Sequence, residues 1–252
     1  MDNSNYQPFS NYTVLESKQI PAGAISKKFM ASVFLWMFIA LGVSTLLSFA
    51  FSMNEQLMSL LYSMTTQGPR LTGLGMIVGL SPLAFVLVMS YGFNRLSSTA
   101  LTMLLVLFAA CMGMSLSTLF LTYTSASLIT CFASSSVMFG VMAVMGYTTE
   151  KDLTSFGSFM TMGLVGIIIA SMINWFMQSE MLYYIISFVG VAVFLGLTAY
   201  DVQKLKRIGA GVEFGDVSAG DTKKLAIMGA LNLYLDFINL FLMMLRLFGR
   251  RK

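Results

Sequence analysis

Two aspartates stand inside apolar runs near the C-terminus of the chain, Asp201 in FLGLTAYDVQKLK and Asp236 in ALNLYLDFINLF. The other nine of its eleven acidic residues lie in polar tails, loops or segment edges. A carboxylate at the centre of a bilayer costs about 2.5–3.5 kcal/mol on insertion scales, so one kept there marks a candidate functional site. Two carboxylates sharing a low-dielectric site cannot both ionise cheaply, and one proton is then held between them. In a chain without histidine such a pair supplies a switch near neutral pH. Deprotonated, Asp201 and Asp236 offer hard oxygen ligands to a cation such as calcium. Asn232 and Asn239 flank Asp236 at spacings of four and three, so the three side chains form one polar stripe on a helix otherwise apolar apart from Tyr234. The stripe must face the bundle interior or a water-filled cavity; interhelical hydrogen bonding that only aids packing is the plainer role. Asp201, one turn after Thr198, has its own alternative, an interfacial position paired with Lys204 or Lys206.

The elements that must position these residues are membrane helices. With 57% hydrophobic and 10% charged residues over 252 positions, the composition is that of an all-α polytopic membrane protein. Seven runs are long enough to cross a bilayer as helices, near 30–52, 73–93, 100–121, 125–147, 156–177, 182–202 and 226–247. They are continuously apolar and do not alternate at period two, which argues against membrane strands. The last segment, greasy around a single polar stripe, is expected at the centre of the other six. Pro82 removes a backbone hydrogen bond inside the second span, where Ser81 can help satisfy the freed groups. Gly75, Gly79, Gly163 and Gly166 offer small faces for close helix packing. The polar residues 1–27 form a tail without a signal peptide, expected to be disordered, and 28–249 form one membrane domain; 203–225 reads as a flexible, glycine-containing loop.

The net charge of +4 belongs to the membrane and not to nucleic acid, because the basic residues lie beside spans. Lys18, Lys27, Lys28, Arg95, Lys151 and the cluster from Lys204 to Lys224 fall on one side, with Arg70 opposite. The positive-inside rule then puts the N-terminus in the cytoplasm. Seven crossings send Arg250, Arg251 and Lys252 outside, against the same rule; a re-entrant last segment would bring them back. Cys111 and Cys131 are expected as reduced thiols inside spans. No C-x-x-C pair, axial ligand set or phosphate-binding glycine loop occurs, so no cofactor is expected.

Three segments in order, GYTTEKDLTSFGSF (146–159), FLGLTAYDVQKLK (194–206) and ALNLYLDFINLFLMMLRLFG (230–249), resemble the Bax inhibitor-1 family, in particular its bacterial members. The likeness covers about residues 28–249. It implies six helices around a central C-terminal one, a bacterial inner-membrane location, and a pH-sensitive calcium leak controlled by an aspartate pair matching Asp201 and Asp236. It also implies a Glu in span two followed by a latching Arg. Here Pro82 stands near the Glu position, and Arg95 comes a few residues late as the candidate latch. The competing function is a regulator that binds a membrane protease or another membrane protein without transport. An enzyme is not expected: Tyr200–Asp201 matches half of an intramembrane aspartyl protease, but the Gly-x-Gly-Asp half is replaced by Leu233–Tyr234–Leu235–Asp236, whose leucines block the approach of a substrate strand. A proton-coupled transporter would show inverted repeats, and no internal repeat is visible.

Overall fold

The computed structural model describes residues 23–65, 68–214 and 219–252. Most of the tail assigned to 1–27 therefore lies outside the described residues, but Ala24–Lys27 do not: they open the first helix. The elements are α1 (Ala24–Met53), α2 (Glu55–Leu61), β1 (Tyr62–Thr65), β2 (Gly68–Leu71), α3 (Gly73–Gly92), α4 (Ser98–Leu116), α5 (Leu119–Thr122), α6 (Ser125–Thr148), α7 (Thr154–Met177), α8 (Glu180–Glu213) and α9 (Ala219–Phe248). Among the described residues seven stretches are long and apolar enough to cross a membrane, α4 and α5 together making the third. Their starts are set by capping residues, since an oxygen side chain satisfies the first free amides of a helix. Thr72 accepts from Gly75, Ser97 from Ala100, Thr124 from Ser127 and Ser179 from Leu182.

The last helix is the axis. Of its membrane window 67% is buried, against 11% for α3 and for α7. α8, α1, α6 and α4 pack directly on α9, while α3 leans on α4 and α7 on α8. Between the second and third helices a short antiparallel ribbon pairs Tyr62 with Leu71 and Ser63 with Arg70. It lies outside the spans, where the apolar-run reading made no assignment. The C-terminal tail settles the last crossing. Arg251 bridges to Tyr123, and the Arg250 and Thr122 carbonyls accept from the amides of Thr124 and Lys252. The tail thus ends at the start of α6, opposite the α8–α9 connection, and α9 is not re-entrant.

The flexible loop expected over 203–225 is mostly helix. α8 runs on to Glu213 because Gln203, Leu205, Gly209 and Val212 bury one face of it, an amphipathic extension that outweighs the glycines. Gly209 packs on Ser26 and Phe29 at the start of α1, and the Glu213 carboxylate accepts from the Gly23 amide. Of the four glycines read as packing faces, Gly75 and Gly163 sit against Leu61 and Val193, whereas Gly79 and Gly166 face open space. Pro82 lies within α3, and the carbonyl of Val78 that it leaves free accepts from Ser81 Oγ at 2.8 Å and from Ser115 Oγ of α4 at 3.3 Å. Both cysteines are free thiols, Cys131 buried and Cys111 half-buried.

The α8 extension is tied to the α6–α7 connection, which fixes the height of Asp201. The Leu153 amide donates to Gln203 Oε1 at 2.8 Å, Gln203 Nε2 donates to the Lys151 carbonyl at 2.7 Å, and Arg207 pairs with Asp152 at 2.7 Å. Hydrogen bonds from Thr154 and then the Arg207 guanidinium pull the Asp152 carboxyl down to about 2. Its folded value lies below the ordinary 3.8, so its contribution is present above that value and is lost as pH falls toward 2. Asp152→Asn is therefore expected to melt below wild type at pH 5–7 and to converge with it as pH approaches 2, in a detergent thermal-melt series; an equal offset at both ends would contradict this.

Candidate functional site

A cavity of about 1030 Å³ lies in front of the polar face of α9. α3 supplies one wall through Gly79, Pro82, Leu83 and Val86, and α7 the other through Thr161, Leu164 and Ser171. α8 contributes Tyr200, Asp201 and Lys204; α9 contributes Asn232, Asp236, Asn239 and Arg246. The cavity follows from the packing: α3 and α7 lean on α4 and α8, so neither closes over the stripe.

Both aspartates meet here. Asp201 of α8 and Asp236 of α9 line the same space, their side chains close enough to interact. Asp236 is 6% exposed, and its second oxygen has no hydrogen-bond partner. Asp201 is half-buried, with Lys204 one turn further along α8. The alternative pairing of Asp201 with Lys206 is not seen: the Lys206 ammonium donates to the Tyr147 carbonyl at 2.8 Å. Asn239 Nδ2 donates to the Leu235 carbonyl at 2.8 Å, which leaves its amide oxygen for the cavity. Asn232 is exposed and lines the same space. Arg95 does not join them; it is exposed in the turn after α3 and does not line the cavity.

Arg246 was missed by the sequence reading. It continues the stripe seven residues beyond Asn239, and that spacing was the available signal. Its guanidinium stacks 5.2 Å from the Tyr183 ring centre. The line of groups along the cavity is thus Lys204 at one end, the carboxyl pair in the middle and Arg246 at the other end. Among the described residues no cluster of three or more His, Cys, Asp or Glu could hold a metal. Calcium takes six to eight oxygens, so an ion at Asp201 and Asp236 would need water or amide oxygens to complete its shell.

The opposite side of α9 sets its rotation. Tyr234 is fully buried, its ring edge-on to Phe108, and its hydroxyl meets Ser44 Oγ at 2.7 Å. Ser44 donates in turn to the Ala109 carbonyl at 2.7 Å, so Tyr234 is the donor to Ser44. Gly113 allows this approach, since a Cβ there would meet the Ser44 backbone oxygen at 2.5 Å.

Residues 26–252 match the model of the family described as inhibitor of apoptosis-promoting Bax1. The chain belongs to that family. It is 42% identical to the inner membrane protein YbhL of Escherichia coli K12 over 224 residues, 89% of this chain and 92% of the relative. It is 44% identical to an uncharacterized protein of Rickettsia prowazekii over 72% of this chain and 75% of the relative. A third relative, an uncharacterized protein of Borreliella burgdorferi, is 39% identical over 90% of this chain and 94% of its own length. The family assignment agrees with the resemblance carried by the three segments, and the chain is an integral membrane protein whose described residues hold seven helical stretches able to span a bilayer.

If Tyr234 fixes the rotation of α9, Tyr234→Phe removes one buried hydrogen bond and is expected to lower stability by about 0.5–1.5 kcal/mol. Chemical denaturation in detergent measures this; a variant as stable as wild type would remove the anchor.

Proposed function

We propose that the protein is a pH-sensitive cation leak, with calcium as the permeant ion by family resemblance and Asp201 and Asp236 as its gate. The observation that supports this reading is that Asp201 and Asp236 line one cavity along the polar stripe of α9, with Asp236 buried and one of its carboxyl oxygens unpartnered. With one proton between them, the pair bears a single negative charge and holds α8 against α9. Loss of that proton leaves two like charges at close range in a low-dielectric site. Their repulsion parts the helices, or a cation enters to balance them. Of the groups lining the cavity, Lys204, Arg246 and Tyr200 are the remaining charged or titratable ones; α3 and α7 contribute none. Arg246 stands in for no family latch in this reading, and neither does Arg95. The protein acts without catalysis and without a resident cofactor.

Calcium flux from proteoliposomes of purified protein, scanned from pH 5 to 8, tests the proposal. Wild type is expected to show pH-dependent flux, and Asp201→Asn and Asp236→Asn each to lose the dependence while keeping their melting temperatures, since an amide retains much of the hydrogen bonding. Unchanged pH dependence in both variants would refute the gate. No flux in wild type at any pH would leave the binding of another membrane protein as the better reading.

The proposed location is the bacterial inner membrane, as for the Escherichia coli relative, with the N-terminus in the cytoplasm by the distribution of Lys and Arg. Lys224→Cys, in a background lacking Cys111 and Cys131, is expected to resist a membrane-impermeant thiol reagent in intact cells and to react after permeabilisation. Labelling in intact cells would reverse the orientation.

A further inference from the structure

α1 and α6 stand apart, and three adjoining cavities of about 290, 550 and 430 Å³ occupy the gap between them. They form one groove. The first two share Phe34 and Ala143, the second and third share Leu41, Thr45 and Phe132, and α9 forms the floor through Phe237 and Phe241. On α1 the lining runs from Lys27 to Phe49. That is about 33 Å of helix, close to the hydrocarbon thickness of about 30 Å. The floor residues lie on a different face of α9 from Asn232, Asp236 and Asn239, so the groove is separate from the aspartate cavity.

Two glycines show that nothing among the described residues fills it. Gly42 and Gly140 line the middle cavity, and a Cβ built on either would meet no atom within 4 Å. Gly113 and Gly146 are the contrast: their Cβ would strike the backbone oxygens of Ser44 and Ala199. Close helix packing therefore explains the second pair and not the first. One end of the groove is basic. Lys27 lines it, and beside it Tyr147 carries the Lys206 ammonium 5.3 Å from its ring centre. Among the described residues no carboxylate lines any of the three cavities.

We propose that this groove seats an anionic phospholipid, with an acyl chain between α1 and α6 and its phosphate between Lys27 and Lys206. An apolar, glycine-lined trough matches a flexible chain, and ammonium groups at headgroup height bind phosphate as point charges. A docked transmembrane helix would fill the same trough but would bring no anion to the two lysines, and charge complementarity therefore selects the lipid.

Native mass spectrometry of the purified full chain, titrated with phosphatidylglycerol and with phosphatidylcholine, tests the assignment. Wild type is expected to retain one phosphatidylglycerol in preference to phosphatidylcholine. Lys27→Gln should lower that preference about fivefold, the worth of one cation near the headgroups. Gly140→Leu places its side chain in open space, so it should melt as wild type does while losing the bound lipid; Gly42→Leu gives the same reading if Gly140→Leu fails to fold. Equal retention of both lipids, or phosphatidylglycerol retention that neither leucine variant reduces, would overturn the proposal. So would a wild-type dimer that Gly140→Leu dissociates, because a second copy would then occupy the groove. The calcium-flux outcome bears on none of these results.

Discussion

The arrangement of the bundle turns on where a helix carrying Asn232, Asp236, Asn239 and Arg246 can hide those groups from lipid. Hydrocarbon offers no hydrogen bonds, so the stripe needs protein or water in front of it. The other faces of the same helix are apolar and need ordinary packing. α1, α4, α6 and α8 supply the packing. The stripe is left to the cavity between α3 and α7, where Asp201 from α8 is its closest chemical partner. Tyr234, bonded to Ser44 on the packed side, keeps the helix from turning that stripe elsewhere.

What was legible in the sequence followed from strong, local costs. A buried charge is expensive enough that Asp201 and Asp236 stood out in a chain with few acidic residues, and their spacing to Thr198, Asn232 and Asn239 placed them on definite faces. The run lengths gave seven helices. The extension of α8 past Gln203 was not legible, because glycines and charges dominate its composition while its burial depends on Phe29 of α1, far away in sequence. Arg246 was missed for a related reason: a basic residue near a segment end reads as an interfacial anchor until the cavity is seen to reach it. Arg95 is the converse case, singled out by resemblance and lying outside the cavity.

Glycine illustrates how little residue type says without its neighbours. The same residue serves backbone contact at Gly113 and Gly146, makes room for the Tyr200 ring at Gly157, lines a wall at Gly79 and faces emptiness at Gly42 and Gly140. Pro82 is similar. Its cost to α3 is met from two helices, since Ser81 and Ser115 both reach the Val78 carbonyl, and the freed carbonyl thereby becomes part of the α3–α4 interface.

Chain order gives the axial position of α9 a consequence for biogenesis. Synthesis runs from the N-terminus, so of the seven spans the one that forms the core leaves the ribosome after the other six and is the least apolar. The six spans before it must wait in the membrane as a shell without an axis, with Phe108, Ser44 and Asp201 lacking the surfaces they finally meet. Insertion of α9 is then also the step that gives the bundle its axis. A nascent chain halted before Ala219 would present quality-control proteases with an open bundle whose inner surfaces have yet to find their partner.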